Sequence, residues 1–207
     1  MYLFLDTETD GLPKSVRQSY KVKGNYPNIV QLAWIVASME PNGKKYDIVQ
    51  SCNFTIRPDG YTIPEEASNI HGITQEKAND RGYKLKYVLT ILQQVIQKYH
   101  PILVCHNIKF DYNVLMSAYY HNNIKNTLRD VTKICTMVNT RSYCNIPSKY
   151  YNGPKNPKLS ELVYTLFQTS MEDQHKGPGA HDAMVDVTWT MRCFFELSIQ
   201  NHTFKFV

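Results

Sequence analysis

The chain has 207 residues, of which 43% are hydrophobic and 20% are charged, and its net charge is +5. These values are ordinary for a globular protein, and the absence of a long apolar run in the sequence excludes a membrane-spanning protein. The length predicts a single domain, residues 1–207, that can bury a full core, and the mild basic excess is compatible with a phosphate-bearing partner.

The first predicted element is a strand over residues 2–7. The run Met1–Leu5 has no polar face, which indicates a strand buried on both sides in the middle of a sheet. Asp6 and Glu8 follow at i and i+2, so their side chains project from the same face where that strand ends. Two carboxylates this close repel each other, and a divalent cation is the usual remedy. An isolated pair of this kind is also common at exposed strand ends, so its interpretation depends on the rest of the chain.

The remaining elements form a meander of strands followed by alternating helices and strands. A long polar loop, 10–27, separates the first strand from the second, and such loops are often functional or mobile. The patterns predict strands at 29–37, 46–56, 102–105 and 131–135, and helices at 64–70, 83–99, 109–121, 159–168 and 181–199, with a loop at 145–158. The fold class is therefore α/β, with a central mixed five-stranded sheet flanked by helices.

Two more carboxylates stand in positions that suit a site. Asp111 comes near the start of a helix that follows the buried strand and His106-Asn107, and sites in α/β sheets lie at such strand ends. Asp186 lies inside the last helix, where small neighbours at Ala183 and Thr190 allow close approach to another element. Each has an ordinary alternative, because helix starts favour carboxylates and a mid-helix Asp usually faces solvent.

His181 follows Gly177-Pro178-Gly179 at the entrance of the last helix. This position suits a general base that moves onto a substrate, although a lone His is more often structural. His175 lies in the same loop region, and composition does not choose between the two.

Basic residues concentrate in two loops. Lys14, Arg17, Lys21 and Lys23 share the first, and Lys149, Lys155 and Lys158 share the second. Solvated surfaces and surfaces that follow a nucleic-acid strand explain these clusters equally well.

The five cysteines have no metal-binding spacing, and Cys105 and Cys193 lie in apolar surroundings that predict core positions. An odd number of unpaired cysteines and the lack of a signal peptide favour a cytoplasmic location.

Together these motifs resemble the DnaQ-like 3′–5′ exonuclease family, the DEDD group of the ribonuclease H-like fold. The resemblance spans residues 2–198 and rests on three motifs, at 4–12, 104–115 and 181–186, with a fourth feature in the His-Gly-Ile-Thr run at 71–74. A His five positions before the last Asp is typical of the DEDDh subtype. Asp10 departs from the family, which usually has Thr there, and the loop after Leu12 is longer than in the smallest members.

The resemblance implies a site and its cofactors. Two divalent cations, Mg²⁺ or Mn²⁺, are expected on Asp6, Glu8, Asp111 and Asp186, with His181 as general base. Expected substrate contacts are Thr7, Thr9, Leu12, His71 and Asn107; plain packing explains Leu12 and His71 equally well.

The predicted function is hydrolysis of phosphodiester bonds from the 3′ end of a nucleic acid, releasing nucleoside 5′-monophosphates by a two-metal-ion mechanism. DNA with single-stranded or frayed ends is favoured over RNA, and a DNA polymerase is a possible partner. An exoribonuclease or oligoribonuclease is the first alternative, and a nucleic-acid-binding or polymerase-associated proofreading module is the second. The sequence does not determine the oligomeric state.

Overall fold

The computed structural model describes residues 1–41, 43–171 and 182–207. A five-stranded sheet with the strand order β3-β2-β1-β4-β5 forms its centre. Its strands are β1 (Tyr2–Thr9), β2 (Ile29–Met39), β3 (Tyr46–Thr55), β4 (Ile102–Cys105) and β5 (Lys133–Cys135). β2 runs antiparallel to β1 and β3, whereas β1, β4 and β5 are parallel. The predicted mixed sheet, with its first strand at the centre, is therefore confirmed.

The helices are α1 (Glu65–His71), α2 (Gln75–Arg81), α3 (Leu85–Tyr99), α4 (Ile108–His121), α5 (Thr136–Asn139), α6 (Arg141–Cys144), α7 (Leu159–Phe167) and α8 (Ala183–Ile199). The sequence did not predict α2, α5 or α6. Helix α2 buries only Ala78 and so has no apolar stripe, and it begins instead at a Thr74 cap whose hydroxyl accepts from the Lys77 N–H. Helices α5 and α6 have four residues each, too few to show a helical period.

The two faces of β1 pack against different helices, and this arrangement positions the site. Leu3 and Leu5 face a core shared with α3 and α4, whereas Phe4 faces a core shared with α8. All three side chains are fully buried. The carboxyl end of β1 therefore emerges between α4 on one face of the sheet and α8 on the other.

All five cysteines are free thiols, and Cys105 and Cys193 are buried in the core as the sequence predicts. Burial raises the pKa of both thiols. Within the described ranges, none of the helices has the length and apolar character needed to span a membrane.

Candidate active site

Three carboxylates meet at the end of β1. Asp6 and Glu8 project from the α8 face of the strand, and Asp186 reaches them from the first turn of α8. Each offers a ligand oxygen, and these three oxygens lie within 4.8 Å of one another. Helix α8 can come this close because its small residues Ala183 and Thr190 are buried. The inward orientation predicted for Asp186 is thus observed.

Asp111 approaches the cluster from the opposite face of β1. It lies in the first turn of α4 and is 2% exposed. Its Oδ1 accepts two hydrogen bonds from Thr7, one from the backbone N–H at 3.1 Å and one from the hydroxyl at 2.8 Å. Because Thr7 is the residue between Asp6 and Glu8, these bonds tie the second motif to the first.

Burial and neighbouring charge act on two of the four acidic groups, Asp6 and Asp111. Burial, followed by the charges of Asp111, Asp186 and Glu8, raises the pKa of Asp6 well above its ordinary value. Burial also raises the pKa of Asp111 from 3.8 to about 7, against the opposing effect of the Thr7 hydrogen bonds. Such a site is costly to ionise unless a positive charge accompanies it. All of its donors are carboxylate oxygens, the ligands that Mg²⁺ and Mn²⁺ prefer, so these residues fit a hard divalent cation.

Gln31 fixes the start of α8 beside this cluster. It lies directly opposite Glu8 in the β1–β2 register and is 3% exposed. Its Nε2 donates to Oδ2 of Asp182 at 3.0 Å, and its Oε1 accepts from the Ala183 N–H at 3.1 Å. Asp182 in turn caps α8, accepting from the Met184 N–H at 2.9 Å. One amide thus links the strand that faces Glu8 to the helix that carries Asp186.

His106 supports the site from the end of β4. Its Nδ1 lies 2.9 Å from the Thr136 hydroxyl and its Nε2 lies 3.0 Å from the Pro157 carbonyl. A carbonyl only accepts, so Nε2 carries the proton and Nδ1 accepts from Thr136. Burial lowers the pKa of His106 to about 4, although the nearby Asp186 opposes this shift. The ring is therefore a neutral brace that joins β4, α5 and the loop before α7.

Three of the predicted substrate contacts lie at accessible positions. Leu12 is 83% exposed, as an apolar side chain that packs against a terminal base would have to be. Asn107 is exposed at the start of α4 with φ 74°, and its side chain makes no capping hydrogen bond. Thr9 is partly exposed, and its hydroxyl donates to the Gly11 carbonyl at 2.7 Å.

The other two predicted contacts are engaged inside the protein. Both donors of Thr7 are used by Asp111, so Thr7 orients a carboxylate, and its contact with a nucleotide stays a prediction. His71 is 5% exposed, and its Nδ1 accepts from the Ile73 N–H at 3.1 Å. Its Nε2 is buried as well and has no hydrogen-bond partner among the described residues. Both ring nitrogens of His71 are therefore buried in this structure, and its contact with a terminal nucleotide stays a prediction.

His181, His175 and the Gly177-Pro178-Gly179 run lie outside the described residues. The expected role of His181 as general base therefore rests on its spacing in the sequence alone.

Sequence reasoning missed three supporting residues, and two of them carried a detectable signal. Gln31 is the one polar residue in the otherwise apolar run Ile29–Trp34, and a buried polar side chain needs partners. Asp182 directly precedes a helix and is a typical N-cap. His106 was noted only as part of a motif, because its partners Thr136 and Pro157 are distant in sequence.

Comparisons with known proteins identify proteins that this chain resembles. A curated relative, the PolC-type DNA polymerase III of Mycoplasmopsis pulmonis, is 29% identical over 163 residues, which cover 79% of this chain and 10% of the polymerase. Among solved structures, E. coli exonuclease I in complex with a dA16 oligonucleotide matches with a TM-score of 0.69 and 19% identity, over 98% of this chain and 41% of that one. Exonuclease I in complex with a dT13 oligonucleotide matches with a TM-score of 0.67 and 20% identity, over 95% and 40%.

The chain spans less than half the length of these relatives, and the structural matches establish the shared ribonuclease H-like fold. The family assignment rests on a separate comparison, in which residues 3–194 match the model of the exonuclease family (RNase_T). This match covers nearly the whole chain and includes all four acidic positions. The family predicted from the motifs is confirmed: the chain belongs to the exonuclease family.

Proposed function

We propose that this chain is a 3′–5′ exonuclease that hydrolyses single-stranded or frayed DNA and releases nucleoside 5′-monophosphates. The observation that carries the proposal is the meeting of Asp6, Glu8 and Asp186 at one strand end, with their oxygens within 4.8 Å. Membership in the exonuclease family gives this acidic cluster its chemical interpretation. The named relatives, a DNA polymerase and a nuclease crystallised with DNA oligonucleotides, favour DNA as the substrate.

The proposed cofactors are two divalent cations, Mg²⁺ or Mn²⁺. Asp6, Glu8 and Asp186 would hold one, and Asp6 with Asp111 would hold the other. When bound, such ions supply an activated water and stabilise the charge on the leaving oxygen. One related structure is a zinc-bound form of an exonuclease I complex with single-stranded DNA, so Zn²⁺ belongs in the metal test.

The protein's own groups would then perform the remaining work. Thr7 holds Asp111 in place, and Gln31 holds the start of α8, so the four carboxylates need little rearrangement before reaction. His181 would take the proton of the attacking water, since an imidazole titrates near neutral pH. Exposed Leu12 would pack beside the terminal base, and Asn107 would line the same opening.

The test uses a single-stranded oligonucleotide labelled at its 5′ end, incubated with Mg²⁺, Mn²⁺ or Zn²⁺ and run on a sequencing gel. The expected result is a ladder that shortens from the 3′ terminus with Mg²⁺ or Mn²⁺, while a circular single strand survives. Rapid cutting of the circle would show an endonuclease and overturn the proposal.

Two further substrates in the same assay test which nucleic acid the chain prefers. An RNA strand of the same sequence tests the exoribonuclease alternative, and faster hydrolysis of RNA would replace DNA in the proposal. A duplex with a mismatched 3′ end tests the proofreading setting that the PolC match favours. Preferential removal of the mismatched terminus would support that setting.

A further inference from the structure

The long loop between β1 and β2 packs against the far end of α4 and forms a groove that the acidic cluster does not explain. This groove has a volume of about 560 Å³ and is lined by Tyr20 from the loop, by Tyr120 and His121 from α4, and by Lys125 and Arg129 beyond it. None of its described lining residues is acidic. It thus combines positive charge with aromatic rings.

The contacts in this groove hold the rings and the cations together. Tyr20 and Tyr120 meet edge to face with their centroids 6.3 Å apart. Lys21 lies over the ring of Tyr120 at 5.7 Å, and Arg129 lies over the ring of Tyr20 at 5.8 Å and donates a hydrogen bond to its hydroxyl. Tyr120 also meets His121 edge to face at 5.2 Å, and the residue is nevertheless 49% exposed, so part of it is open to a ligand.

A second groove connects this region with the end of β1. It has a volume of about 530 Å³, begins at Asp10 and Leu12, and shares His121 with the first. Lys14 and Lys23 also line it, together with a second carboxylate, Asp59. Tyr120 lies nine residues beyond Asp111 on α4, which places the far groove about 14 Å along the helix axis from that carboxylate.

We propose that the groove around Tyr120 binds a single-stranded nucleic acid upstream of the 3′ end that enters the acidic site. The chemistry is that of known single-strand binders, in which an aromatic ring stacks on a base while basic side chains contact phosphates. Tyr120 is the stacking platform, Tyr20 supports it, and Lys21, Lys125 and Arg129 contact the backbone. This inference rests on the proposed function, because the strand bound here is the substrate of that site.

The geometry makes the effect depend on strand length. A span of about 14 Å corresponds to about four nucleotides stacked about 3.4 Å apart. A stacked trinucleotide bound in the acidic site spans about 7 Å and does not extend to Tyr120, whereas a strand of about 20 nucleotides does. The groove should therefore affect the binding of long strands and leave the turnover of short ones unchanged.

The experiment compares Tyr120→Ala, Tyr120→Phe and the pair Lys125→Gln/Arg129→Gln with the wild-type chain. The dissociation constant for a long 5′-labelled single strand is measured with Ca²⁺ in place of Mg²⁺, and the rate on a trinucleotide is measured with Mg²⁺. Tyr120→Ala should weaken long-strand binding about tenfold, and Tyr120→Phe should retain it. The double charge variant should lower the salt slope of binding by about two.

Two matched controls lie outside both grooves. Tyr164→Ala removes a comparably exposed tyrosine from α7, and Lys98→Gln removes a lysine that lies over the ring of Tyr99 at 4.8 Å. Both should leave long-strand binding unchanged.

The outcomes separate this inference from the proposed function. Equal losses on the trinucleotide and on the long strand, or unchanged long-strand binding in Tyr120→Ala, would overturn the groove. If the wild-type chain binds long strands through Tyr120 but hydrolyses nothing, the groove is upheld and the proposed function fails.

Discussion

The acidic cluster and the Tyr120 groove lie at opposite ends of α4 and carry charge of opposite sign. The cluster concentrates negative charge in a partly buried site, and hydrogen bonds from Thr7 and Gln31 fix its surroundings. The groove places long cationic side chains over the rings of Tyr20 and Tyr120. We therefore expect the cluster to govern turnover and the groove to govern affinity. Changes in the cluster should abolish turnover with little loss of strand binding. Changes in the groove should weaken strand binding with little loss of turnover.

The sharpest way to break this comparison is Asp186→Asn. Asp186 is proposed to hold a cation, so its loss should remove several kcal/mol of transition-state stabilisation and lower hydrolysis by about 10³-fold or more. The affinity for a long single strand should stay within about twofold, because the groove is untouched. Single-turnover rates and anisotropy titrations measure the two effects. Asp80→Asn, an exposed carboxylate paired with Arg81, is the control and should be neutral in both.

The next largest effect is expected for His181→Ala. A general base contributes about 10²–10⁴-fold, so turnover should fall on that scale while metal and DNA binding persist. Part of the activity should return at high pH, where hydroxide replaces the base. The measurement is kcat against pH at saturating Mn²⁺, with His175→Ala as the near-neutral control. A large loss in His175→Ala alone would refute the DEDDh assignment.

A smaller effect is expected for Gln31→Ala, because Gln31 is 3% exposed and positions the start of α8. Its loss leaves the Ala183 N–H and the Asp182 carboxylate without their amide partner, which should cost about 1–3 kcal/mol of stability. A displaced Asp186 should lower kcat by up to about 10²-fold with little change in KM. Thermal unfolding and steady-state kinetics test both, with Gln50→Ala on β3 as control. Lost stability with unchanged kcat would reduce Gln31 to a purely structural residue.

The smallest effect concerns stability against pH. Burial raises the pKa of Asp6 and Asp111, so the folded chain holds protons more tightly than the unfolded chain. Stability from these groups is present below pH 3.8 and is lost as pH rises toward about 7. Metal-free protein should therefore melt at a lower temperature at pH 7 than at pH 5, by about 2–4 °C for each kcal/mol of stability lost. Thermal unfolding in the presence of a chelator measures this difference.

Added Mg²⁺ should reverse this loss at pH 7, since a ligand that binds only the folded state stabilises it. Asp6→Asn should flatten both the pH dependence and the Mg²⁺ response. Melting temperatures that rise with pH in the metal-free chain would contradict the raised pKa values.

The central features of the fold were predictable because their signals are local. The apolar run before Asp6 predicted a central strand, and the small neighbours of Asp186 predicted close packing of α8. The strand over 102–105 and the helix ends near Tyr99 and His121 also agree with the structure.

The site was only partly predictable, because several of its contacts join residues distant in sequence. Nothing in the local pattern of Thr7 shows that its donors meet Asp111, 104 positions away. Likewise, the burial of His71 and the meeting of Tyr20 with Arg129 follow from tertiary packing alone. The sequence identified the acidic residues, whereas the supporting hydrogen bonds and the groove required the structure.

The most direct test of the central claim is to count Mn²⁺ ions bound to the nucleic-acid-free chain by electron paramagnetic resonance. The acidic cluster should bind Mn²⁺ in the wild-type chain, and Asp6→Asn should lose that binding together with hydrolysis. The Tyr120→Ala variant should retain both the bound Mn²⁺ and the trinucleotide rate. Undiminished Mn²⁺ binding and hydrolysis in Asp6→Asn would contradict the claim that this cluster is the catalytic metal site.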